Sequence, residues 1–136
     1  MITSHKNTKE KMDQTRETSK STGTFHLKVD NKEYNVDTVE YDNNPEMHMI
    51  RAGNSDGTVK VDIDFLSGYG TELIELGEGW GRNTGRALVT IAGVEYKSIS
   101  GQMIIKFDHS VQATGAMSFN AADGKVVLGL FDIKHG

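Results

Sequence analysis

From residue 23 onward, apolar and polar residues alternate with a period of two. Phe25, Leu27 and Val29 alternate with His26 and Lys28, which predicts a half-buried strand running into an Asp30-Asn31 turn. Tyr34 and Val36 extend the pattern into a return strand, but Val39 and Tyr41 stand one residue out of phase. A bulge near Asp37-Thr38 would restore the register. Asp42-Asn43-Asn44-Pro45 has the composition of a loop, and residues 47–52 read as a short third strand. After the turn at 53–57, Val59, Val61, Ile63 and Phe65 alternate with Thr58, Lys60, Asp62 and Asp64, the cleanest strand in the chain.

Residues 66–71 form a Gly/Tyr loop, 72–76 a brief strand, and 77–85 a long glycine-rich loop. Extended segments follow at 86–92 and 94–98, with Gly93 as the turn between them. A kink is expected at Gly101 before a strand over 102–107 that carries Met103, Ile105 and Phe107 on one side, and 109–113 reads as a connection. The last hairpin pairs 114–121 with 125–133 across Ala122-Asp123-Gly124, where aspartate followed by glycine supplies the positive φ of a tight turn. About eight to ten short strands with no helical stripe predict an all-β domain, an antiparallel meander barrel or a sandwich. The barrel is preferred because Gly68, Gly101, Gly115 and Gly129 sit in or beside strands, where a bending sheet needs a missing side chain.

Tyr96-Lys97-Ser98-Ile99-Ser100-Gly101, the strand Thr114-Gly115-Ala116-Met117-Ser118-Phe119-Asn120-Ala121 and the closing Gly129-Leu130-Phe131 together resemble the C-terminal half of lipocalin-like (calycin-like) domains in uncharacterised secreted bacterial lipoproteins. About 40 residues carry the likeness. The resemblance implies a calycin-like barrel and supplies no catalytic residue. Those proteins start with a signal and a lipidated cysteine, and this chain has no cysteine.

Residues 1–22 break from the alternation, because they contain no glycine or aromatic residue and mix Lys, Glu, Thr and Ser. They are expected to form a disordered polar arm preceding an all-β domain at 23–136. The formal net charge of -4 divides unevenly. The arm has five Lys or Arg against three Asp or Glu, and the rest has ten against sixteen, so a basic tether precedes an acidic body. The acidic body would repel nucleic acid. No apolar run approaches the ~18 residues of a membrane-spanning helix. A chain with this start is expected in the cytoplasm, or exported if a signal has been removed.

Most candidate chemistry fails on geometry. The loop Gly77-Glu78-Gly79-Trp80-Gly81-Arg82-Asn83-Thr84-Gly85-Arg86 lacks glycines at positions 1, 3 and 6 before a helix, so it is no dinucleotide fingerprint. Met47-His48-Met49 suggests a soft metal, but alternation puts both methionines on one face and His48 on the other, and the methionines are expected to fill core gaps. The Gly57 and Gly124 turns lack the first and last carboxylates of a calcium loop. Asp62 and Asp64 read as a solvated strand face, and Asp108-His109-Ser110 cannot form a triad from neighbours on an extended chain. No enzyme, cofactor or metal is expected.

What remains is a binding module. The expected partner is a protein, met by the 66–86 loops through Tyr69, Trp80, Arg82, Asn83 and Arg86, since an indole beside guanidinium groups is interface material. Immunity proteins, phage inhibitors and bacterial or phage accessory modules fit this description. The alternative is a lipocalin-like carrier holding a small hydrophobic ligand against Met103, Ile105, Phe107, Met117 and Phe119.

Overall fold

The computed structural model describes residues 21–44, 47–66, 71–79, 81, 83–108 and 112–134. Residues 1–20 of the expected arm lie outside these, whereas Ser21 is buried and Thr22 opens the first strand. The described residues form ten strands and no helix: β1 (Thr22–Val29), β2 (Lys32–Tyr34), β3 (Thr38–Asn44), β4 (Met47–Gly53), β5 (Val59–Phe65), β6 (Thr71–Leu76), β7 (Thr84–Ile91), β8 (Val94–Asp108), β9 (Gln112–Ala121) and β10 (Val126–Lys134). No helix long and apolar enough to cross a membrane is present among them.

All ten strands belong to one sheet, in the order β2-β1-β10-β9-β8-β6-β7-β5-β4-β3. Neighbours in sequence are neighbours in the sheet from β3 to β5 and from β8 to β10. The N-terminal hairpin adds to β10. The pairing is antiparallel except where Glu75 and Leu76 of β6 run parallel to Thr84 and Gly85 of β7, so the sheet is mixed and not purely antiparallel. β8 is long enough to serve two partners, its first half pairing with β7 and its second with β6.

The chain connectivity requires the sheet to curl. Laid flat, ten strands at about 4.8 Å spacing would hold the edge strands roughly 43 Å apart. Those edges are β2 and β3, and only residues 35–37 join them. Four Cα steps of 3.8 Å reach at most about 15 Å. Among the described residues no ladder joins the two ends of the sheet. Ser21, just before β1, instead bonds through its side chain to both backbone groups of Tyr41 on β3.

The inward face is apolar on nearly every strand. Phe25 and Leu27, Val61 and Ile63, Ile74, Val89, Met103 and Ile105, Met117 and Phe119, and Val127 and Phe131 belong to one contiguous core. Gly115 lies on that face, where a Cβ would stand 2.7 Å from Cζ of Phe131, so the ring occupies the space a side chain would take. Phe131 in turn stacks on Phe25 at 5.6 Å.

Several sequence expectations change. The expected bulge near Asp37-Thr38 is a gap between strands, because β2 and β3 pair at opposite ends of the sheet. Residues 42–44 are strand rather than loop, paired with Met47–Met49 in a hairpin. The two strands expected on either side of a kink at Gly101 are one strand, β8, with a register shift between Ser98 and Ser100. Gly68 lies outside the described residues.

Candidate functional site

β5 presents Asp62 and Asp64 on its outer face because its apolar residues occupy the other phase. β4 runs antiparallel beside it and sets Arg51 opposite Asp62. The guanidinium bridges both acids, with Nε 3.0 Å from Asp62 and Nη1 2.8 Å from Asp64. Arg51 also donates to the carbonyl of Ile50 at 3.3 Å. All three side chains are only partly exposed, so the planar, doubly engaged guanidinium replaces water that both carboxylates would otherwise need.

β7 continues the pattern on the far side of β5, where Arg86 stands opposite Asp64 and Leu88 opposite Asp62. β8 then adds Lys97 opposite Leu88. Arg51, Asp62, Leu88 and Lys97 thus form one rung across four strands, with Asp64 and Arg86 on the next. Beyond them, Ile99 occupies the β8 bulge and is 42% exposed. These residues and Glu78 line a groove of about 760 Å³.

Gly77 and Glu78, at the start of the glycine-rich loop, line this groove, and the foot of the loop is tied to the neighbouring strands. Asn83 donates its N–H to Leu66 at 2.9 Å, and its carbonyl accepts from Glu75 at 2.9 Å. Its φ of 59° lies in the left-handed region that asparagine tolerates. Its Oδ1 is buried with no hydrogen-bond partner among the described residues. Ser98, itself buried, donates its hydroxyl to Gly77 and accepts the N–H of Ala87, each at 3.0 Å, and so staples the loop to the sheet. Gly85 sits where β5, β6 and β7 meet. A Cβ there would lie 2.6 Å from Cβ of Phe65 and 2.7 Å from the carbonyl of Asp64.

Of the five residues expected to meet a partner, Asn83 is partly buried at the loop foot, whereas Arg86 is exposed on β7 and lines the groove. Tyr69, Trp80 and Arg82 lie outside the described residues. The alternative set, Met103, Ile105, Phe107, Met117 and Phe119, is at most 7% exposed and packs in the common core. Arg51, Lys97 and Ile99 were not among the expected site residues. Only the long-range register of β4, β5, β7 and β8 places them there, although the acid pair at 62 and 64 already calls for a cation on the same face.

The Met47-His48-Met49 segment alternates as expected but in the opposite phase. Met47 and Met49 are half-buried on the outer side, and His48 is 1% exposed in the core. Ile50 and Ala52 share the His48 phase and pull it inward. The imidazole stacks on Phe65 and lies tilted against Phe107, each at 5.0 Å, and Tyr41 Oη lies 3.1 Å from its Nδ1. The methionines therefore do not fill core gaps. No group of three or more His, Asp or Glu side chains is placed to hold a metal among the described residues.

The turns act as their composition suggests. Asp56 Oδ1 accepts the Thr58 N–H at 2.9 Å and the Thr58 hydroxyl at 2.7 Å. These bonds hold its carboxyl below the usual value of 3.8. Asp123 likewise accepts the Lys125 N–H at 3.0 Å. Comparison with protein-family models, with curated proteins and with solved structures finds no match to this chain.

Proposed function

We propose that the chain is a non-enzymatic binding module that recognises a protein partner through the 66–86 loops and the groove at their foot. The groove itself carries the reading. It joins an exposed apolar residue, Ile99, to unlike charges at Glu78, Arg86 and Lys97, above a floor on which Arg51 already satisfies Asp62 and Asp64. A mixed rim around an apolar point suits a polypeptide segment, with its alternating side chains and polar backbone. A reaction would need an acid, base or nucleophile held near a shared point, and the paired acids of the groove floor, Asp62 and Asp64, are engaged by Arg51.

The scaffold we infer is a barrel-like sheet left open at the β1/β3 seam, in keeping with the lipocalin-like resemblance of the C-terminal strands. Carriage of a hydrophobic ligand has less support, because the five side chains it would use are packed in the core. Affinity capture from the native host tests the proposal, comparing the full wild-type chain with a Trp80→Ala, Arg82→Ala, Arg86→Ala variant. A partner recovered by the wild type and lost by the variant is expected. Equal recovery by both contradicts the assignment to this loop and groove.

A further inference from the structure

The outer face of β6, β8, β9, β10 and β1 carries three rungs of side chains, set by the strand registers. The middle rung reads Leu73, Ile104, Ala116, Leu130, His26. One flanking rung reads Glu75, Gln102, Ser118, Leu128, Lys28, and the other Thr71, Lys106, Thr114, Asp132, Thr24. This phase faces water, yet Leu73, Ile104 and Leu130 are 51%, 58% and 59% exposed. Small residues on β9 leave a shallow groove of about 460 Å³ between Ile104 on one bank and Leu128 and Leu130 on the other. Contiguous apolar surface of this kind marks an interaction face.

The charges around it have a symmetry that selects an occupant. A half-turn about a line over β9 and parallel to it exchanges β8 with β10 and β6 with β1, and keeps every rung at its own height. Lys106 then faces Asp132 of the second copy, Glu75 faces Lys28 of the second copy, and Ile104 faces Leu130 of the second copy. Ala116, Ser118 and Thr114 meet their own equivalents. The other two-fold in the plane of the face, perpendicular to the strands, sets Asp132 against Leu128 and Lys106 against Gln102, which leaves both charges without a counter-ion.

We infer that this face is a self-complementary surface on which a second copy of the chain docks about an axis along β9. An isologous interface requires such a self-matching patch. Gln112 donates to Asp132 Oδ1 at 2.6 Å and fixes that carboxylate, while Lys106 makes no ion pair among the described residues. Sheets packed face to face are rotated by about 30°, so the β8 and β10 pairs near the axis keep their match best. Lys106 with Asp132 and Ile104 with Leu130 are the contacts to test.

Sedimentation velocity on the full chain over a roughly hundredfold concentration range reads the association. A dimer that grows with concentration is expected for the wild type. Ile104→Asp and Leu130→Lys should each abolish it, and Lys106→Asp or Asp132→Lys should each weaken it by about tenfold or more. The double variant Lys106→Asp with Asp132→Lys restores opposite charges across the axis and should recover affinity to near wild type. These positions are outward-facing, so unchanged circular dichroism and melting keep the comparison clean. A wild type that is monomeric throughout, or a double variant no better than its parents, overturns the inference.

Discussion

The Ser21 hydroxyl accepts the backbone N–H of Tyr41 at 2.8 Å and donates to the Tyr41 carbonyl at 3.3 Å. One side chain thus does at the β1/β3 seam what a strand pair does elsewhere in the sheet. Both residues are buried, so water cannot replace the bond. Ser21→Ala should destabilise the fold by about 1–3 kcal/mol, the usual cost of stranding a buried polar group. Urea unfolding checks this, and a midpoint equal to wild type would show that the seam does not depend on the serine.

Tyr41 also reaches inward, where its hydroxyl meets His48, whose ring packs against Phe65 and Phe107. Tyr41→Phe removes one hydrogen bond and should cost about 1 kcal/mol. His48→Ala empties a ring-sized site in the core and should cost about 3 kcal/mol or more, as large-to-small aromatic changes do. Thermal and urea unfolding of both variants tests the order. A larger loss for Tyr41→Phe would contradict the packing role given to His48.

Much of this fold is legible in the residues alone, and the failures have physical causes. β5 and the β9/β10 hairpin follow directly from alternation and from the Asp123-Gly124 turn. The phase of β4 depends on weighing Ile50 and Ala52 against two methionines, and the inward pull of the first pair, with Arg51 on the other side, decides it. Residues 42–44 have loop composition but are held in strand by their hairpin partners, so pairing overrides propensity. Composition alone singles out the glycine-rich loop and Arg86 as a candidate. Arg51, Lys97 and Ile99 come from distant strands, and nothing local announces the register that gathers them.

Arg51 holds two carboxylates that lie two residues apart on one strand face. Arg51→Met keeps the stem but leaves Asp62 and Asp64 to repel each other across a partly buried surface. A loss of about 1 kcal/mol is expected, larger at low ionic strength than in high salt. Arg51→Lys should not restore it fully, since an ammonium cannot span both acids in the same geometry. Urea unfolding at two salt concentrations is the check. A salt-independent loss would point to packing of the side-chain stem instead.

Asp56 titrates below its ordinary value because the Thr58 N–H, and then the Thr58 hydroxyl, bond to its ionised form. A carboxyl lowered in the folded state adds stability that is fully present above the unfolded value near 3.8 and is lost as pH falls through the folded one. Carboxyl NMR should place the Asp56 midpoint below 3.8, and Thr58→Ala should move it upward. A midpoint unmoved in that variant would exclude the hydroxyl as a contributor.

The proposed partner site is the outer groove lined by Arg86 and Lys97, and not the interior. Native mass spectrometry of the full chain purified from its own host tests it most directly. The expected result is a complex with a second, different protein, depleted in the Arg86→Glu, Lys97→Glu variant, and partner-free chain, as monomer or homodimer, with no mass beyond that of the sequence. A free chain carrying a small apolar molecule in both wild type and variant, with no partner protein in either, would contradict it.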